Sequence, residues 1–87
     1  MDADEAGEIL DTSLNRYRAE SYTNLRTKVG SRETTATIGK SGQQYRIEVQ
    51  VLWDAEPNEA IRVLGCIDDG GLHAILPLTD DFLVDPA

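Results

Sequence analysis

Cys66 and His73 each stand alone of their kind in the sequence, and a hairpin turned at Asp69-Gly70 sets them opposite one another on neighbouring strands. A thiol beside an imidazole is the elementary machinery of covalent catalysis: the ring nitrogen takes the proton and the thiolate attacks. That chemistry also needs a thiol of lowered pKa, donors for an oxyanion and a cleft. This pair falls instead on the outward face of a sheet, beside Leu64 and Ile75. A small sheltered cysteine next to a hydrogen-bonded histidine is the expectation, and no catalytic residue is assigned.

The other chemically suggestive groups resolve in the same direction. Asp68, Asp69, Asp80 and Asp81 would offer carboxylate oxygens to a hard cation, but their spacing fits no EF-hand loop, and acidic residues in turns commonly bond their own backbone. A pair of carboxylates working as in a glycosidase would require a deep groove, which so short a chain seldom builds. Gly39-Lys40-Ser41-Gly42 contains the residue types of a phosphate cradle without the spacing of a P-loop or the helix that follows one. It reads as a turn. No metal, cofactor or enzymatic activity is expected.

The elements that position these residues are organised around Gln43 to Trp53. Tyr45, Ile47, Val49, Val51 and Trp53 occupy every second place with polar residues between, the period of a strand with one face on a core. Before it, Ala3, Ala6, Leu10, Leu14, Tyr17, Ser21 and Leu25 form a stripe at helical spacing. Asp2 and Glu5 suit the start of that helix, and Arg26, Lys28 and Gly30 its end, so one amphipathic helix over about 4–29 is predicted. A short strand over 33–38 follows, and a two-residue tip at Lys40-Ser41 would set Ala36 opposite Tyr45 with Ile38 on the same face. Asp54 to Glu59, with Pro57, ends the long strand. A third strand over 60–67 turns Ile61, Val63, Gly65 and Ile67 inward and Arg62, Leu64 and Cys66 outward. Asp69-Gly70 then predicts a fourth strand over 72–78, with an acidic tail over 79–87 whose Phe82-Leu83-Val84 must dock somewhere.

The fold class expected is α+β in one domain: a long N-terminal helix across a four-stranded antiparallel meander, in the order αββββ. That order is similar to the helix-plus-meander layout of cystatin-like folds, although the Gln-x-Val-x-Gly loop of inhibitory members is absent. Fold alone does not license a function.

Composition narrows the partners. The 87 residues carry sixteen acids against eight bases, a formal charge of −8, which repels phosphate backbones and disfavours nucleic acid as a ligand. The excess is uneven: residues 51–87 hold eight acids and one base, while residues 12–50 hold three acids and seven bases. No apolar run approaches the ~18 residues of a membrane span. Cys66 has no second cysteine to pair with, and the start Met1-Asp2-Ala3-Asp4-Glu5 lacks a basic, then apolar, leader, so a cytoplasmic location is expected.

Two surfaces remain as functional candidates. On the outer sheet face Leu52, Leu64, Cys66 and Ile75 make an apolar cluster that ought to be covered by the tail, a second copy or another protein. Between helix and sheet, Gly65 and Ala74 leave room beside Tyr17, Tyr45 and Trp53 for a small ligand. The leading expectation is a non-catalytic protein-interaction or self-associating module. A small-ligand-binding domain is the alternative, and an acidic mimic that occupies a basic partner is a third.

Overall fold

The computed structural model describes residues 1–71 and 76–86. Helices α1 (Ala3–Arg18) and α2 (Tyr22–Thr27) precede strands β1 (Arg32–Ile38), β2 (Gln44–Trp53), β3 (Ile61–Asp68) and β4 (Leu78–Val84). The strands form an antiparallel sheet in chain order, β1-β2-β3-β4, and the helices pack on one face of it. This is the α+β meander expected from the sequence. Ala6, Leu10, Leu14 and Leu25 from the helices meet Tyr45, Ile47, Val49 and Val51 of β2 and Ile61, Val63 and Ile67 of β3 in one buried core.

The helical stretch is interrupted, which corrects the single helix over 4–29. Asp2 caps α1 by accepting the amides of Asp4 and Glu5 at 3.0 and 3.1 Å. Ser21 adopts an extended backbone and its hydroxyl accepts the Asn24 amide at 3.2 Å, starting α2. Serine, threonine and asparagine compete with the helical backbone for hydrogen bonds and favour caps. An unbroken helix of that length would run ~39 Å, longer than the ~33 Å of a ten-residue strand. The break turns Leu25 back onto the core, where it is fully buried.

The first hairpin has one more residue in its loop than expected. Gly39 and Gln43 close it, with the Gly39 amide donating to the Gln43 carbonyl at 2.8 Å, and Gly42 sits at φ 88°. That is a three-residue loop with a left-handed glycine. The extra residue moves the register by one, so that Thr37, not Ala36, stands opposite Tyr45. A shift of one exchanges faces: Thr35 and Thr37 take the helix side, and Ile38 lies on the outer side, 66% exposed.

The second hairpin pairs Val51 with Val63 and Val49 with Gly65, with the expected inward and outward sets. The strand that pairs with β3 on this side lies at Leu78–Val84; of the strand expected over 72–78, residues 72–75 lie outside the described residues. Its partners are Ile67 with Leu78, Cys66 with Thr79, Gly65 with Asp80 and Val63 with Phe82. The register of β3 and β4 is therefore not that of a tight turn at Asp69-Gly70. The acids there bond locally, Asp68 accepting the Gly70 amide at 2.9 Å and Asp69 the Gly71 amide at 3.1 Å. Phe82 and Val84 pack against the core as the tail's docking demanded.

Two contacts fasten the helices to opposite ends of β2. At one end the Glu5 carboxylate accepts the Ser41 amide (3.0 Å), the Ser41 hydroxyl (2.6 Å) and the Tyr45 hydroxyl (2.8 Å). A Cβ at position 39 beneath it would lie 2.4 Å from Glu5 Oε1 and would push the carboxylate from this seat. At the other end the Tyr22 hydroxyl donates to the Glu59 carbonyl at 2.8 Å.

Candidate functional site

Alternation carries Leu52, Leu64 and Cys66 to the face opposite the helices, where each is half-buried. Among the described residues no helix or strand covers that face. Leu83 joins the group: it pairs with Arg62, which in turn pairs with Leu52, and one step along β3 stands Leu64. Leu83 is 50% exposed. Reading the segment as a tail hid this residue; the alternation Leu78, Phe82, Val84 signals a strand with Leu83 outward, interrupted only by Asp80. Ile75 lies outside the described residues. Arg62 crosses the cluster as an ionic brace, donating to Asp54 at 2.7 and 2.9 Å and bonding Asp81 on its other side.

Cys66 stands opposite Thr79, not His73, and His73 lies outside the described residues. Burial pushes the thiol pKa up, and the charges of Glu48 and Asp68 push it further. They outweigh a backbone hydrogen bond at Glu48 and the Arg46 charge, which act the other way, and the net rise opposes the thiolate that nucleophilic chemistry uses. Among the described residues no group of three or more His, Cys, Asp and Glu side chains is arranged to hold a metal ion.

The expected helix-to-sheet pocket is not where Gly65 left room. Leu10 and Leu14 fill that space, so closely that a Cβ on Gly65 would lie 2.9 Å from Leu10 Cδ1 and 3.0 Å from Leu14 Cδ2. Tyr45 is buried beneath Glu5, with its pKa raised to about 12 by burial and then by that carboxylate. Trp53 packs at the other end of β2, opposite Ile61, and Ala74 lies outside the described residues. Tyr17 alone borders a helix-to-sheet cavity of about 280 Å³, floored by Ile47 and Val49 and bounded by Arg16, Lys28 and Thr35. Its hydroxyl donates to Glu33 at 3.1 Å; burial, then that bond, raises its pKa to about 12. The cavity exists because α1 lies mainly over β3 and β4, and only side chains such as Tyr17 reach across to β1. A second cavity of about 410 Å³ shares Ser13, Arg16, Thr35 and Ile47 with it, making one trough between α1 and β1.

The acids divide among several directions. Asp54 and Asp81 hold Arg62, Asp68 faces Arg46 at 3.6 Å, and Asp80 on the helix side lies 3.9 Å from Arg18. Asp68 and Asp81 lie on the outer face and Asp80 on the helix side, and each of these four carboxylates has one of the chain's own cations beside it.

No helix among the described residues is long and apolar enough to cross a membrane. No protein-family model, curated protein or solved structure matches the chain.

Proposed function

We propose that this protein works by binding other protein, without catalysis of its own, and that the outer sheet face around Leu52, Leu64, Cys66 and Leu83 is the docking surface. The observation that carries the reading is the exposed Leu83 beside that cluster, on a face that no described element covers. Contiguous apolar surface on a small domain marks association more often than chemistry. A free cysteine fits a reducing, cytoplasmic setting.

A second reading, small-ligand binding, is favoured by one observation, the trough between α1 and β1 with Tyr17 and Arg16 on its wall. One experiment separates the two. A photoreactive residue is placed at Leu83 or, in a separate variant, at Thr35 in the trough, and each is irradiated in the native cell. Adducts with a different protein are expected from Leu83 alone. Adducts of small-molecule mass at Thr35, with none at Leu83, would replace the first reading by the second.

A further inference from the structure

We infer that the trough between α1 and β1 binds an uncharged, hydroxyl-rich ring with an apolar face, the chemistry of a sugar. This deepens the second reading and rests on it; protein docking at the outer face can hold alongside it.

Ser13 occupies a core-facing place on α1 with Leu10 and Leu14, and it is only 8% exposed. Alanine would fill that place as well. A hydroxyl stands there instead, and among the described residues no hydrogen bond engages it. Polar groups set so deep in a fold ordinarily have a partner. Ser13 borders both halves of the trough, so the little of it that is exposed opens there.

Ser13, Arg16, Thr35 and Ile47 line both halves and make the waist of the trough. Arg16 stands on the α1 wall, Thr35 faces it from β1, and Ile47 lies in the floor. Among the described residues the side chains of Arg16 and Thr35 form no hydrogen bond or ion pair, and the same holds for Thr12 and Thr37 in the larger half. A guanidinium donates, whereas a hydroxyl both donates and accepts. A molecule with several hydroxyls therefore finds partners on both walls, and one with an apolar face can rest on Ile47 and Val49. A pyranose ring has both, hydroxyls around its rim and C–H groups on its faces. Cavities of about 280 and 410 Å³ are of the size that holds a small molecule.

Charge along the trough favours a neutral occupant. Three bases, Arg16, Lys28 and Lys40, stand with three acids, Glu8, Glu20 and Glu33. Lys28 and Glu20 neutralise each other at 2.6 Å, and Glu33 accepts the Tyr17 hydroxyl. Arg16 is thus left at the waist, with Glu33 in one half and Glu8 beside Lys40 in the other. An anion drawn to Arg16 meets the flanking acids, and a cation drawn to those acids meets Arg16. A neutral ring meets neither opposition.

Titration of the ¹⁵N-labelled protein followed by nuclear magnetic resonance tests this, with glucose, galactose, mannose, N-acetylglucosamine and inositol as neutral probes and glucuronate and glucosamine as charged ones. A neutral probe is expected to shift the amides around Ser13, Arg16 and Thr35 saturably, with Leu83 unmoved and the charged probes weaker. Ser13→Ala should be at least as stable as the parent without sugar, since it removes no bond within the fold. It should bind the same probe about tenfold more weakly. If glucuronate or glucosamine moves the trough amides while no neutral ring does, the trough still takes a small molecule and the sugar assignment alone falls. Shifts from none of the probes, shifts confined to the outer face, a Ser13→Ala variant that binds unchanged, or one less stable than the parent without sugar would each overturn the assignment. Small-ligand binding would then stand or fall on the Thr35 adducts.

Discussion

Cys66 shows how far a single side chain's chemistry depends on its neighbours. Burial and the Glu48 and Asp68 charges all disfavour its thiolate, so the native protein should react with a thiol reagent at neutral pH more slowly than the same chain in urea. Stopped-flow or manual mixing with a chromogenic disulfide measures both rates; a native rate equal to or above the unfolded one would mean an activated cysteine. That Cys66 faces outward was legible from the alternation of Ile61 to Ile67. Its cross-strand partner was not. The Asp69-Gly70 dipeptide is a strong local turn signal, yet β3 pairs with a strand that begins at Leu78, and Thr79 takes the place assigned to His73. Local turn chemistry says where the chain can bend and leaves open how far it travels before pairing again.

At the scale of elements, period-2 alternation made β2 and β3 readable, because both are flanked by neighbours and have one face on the core. The ends of the sheet were harder. At β1 a single loop residue exchanged the two faces, and small residues such as Thr35 and Ala36 fit either side. At β4 the inward Asp80 broke the pattern, because Arg18 reaches it from α1 while also stacking 4.9 Å from the Phe82 ring. The helix break at Ser21 had a signal in Ser21-Tyr22-Thr23-Asn24, overridden by the stripe that continues to Leu25. Gly65 was rightly read as a gap in the core wall, and Leu10 and Leu14, rather than Trp53 or a tyrosine, occupy it. Gly65→Ala should therefore destabilise the fold by about 1–3 kcal/mol, the usual cost of overpacking. Urea titration monitored by Trp53 fluorescence checks it; a variant as stable as the parent would mean that the two leucines yield freely.

For the whole molecule, the bond between Tyr45 and Glu5 links stability to pH in both directions. Accepted hydrogen bonds from Ser41 and then Tyr45 hold the Glu5 carboxyl below its usual range. The stabilisation is thus complete above the ordinary carboxylate pKa and is lost as pH falls through the lowered value. Tyr45 is shifted the other way, to about 12, so its contribution is complete below the ordinary tyrosine pKa and is lost as pH rises through about 12. Glu5→Gln is expected to be less stable than the parent at neutral pH, with the difference closing in acid. Melting curves from pH 2 to 8 test this; a difference that persists unchanged at the acid end would show that the carboxylate charge is not responsible.

The same Glu5 clasp, taken together with Tyr22 on the Glu59 carbonyl, fixes where the helical layer rests along the strands. Leucines on a pleated surface tolerate translation, and a helix held by them alone has a second seat available one turn, ~5.4 Å, further on. Here Glu5 fixes α1 at one end of β2 and Tyr22 fixes α2 near the other, so a slide of either helix breaks its own fastening. Each helix has one hydrogen-bonded seat on the sheet, and leaving it gives up those bonds at the first step.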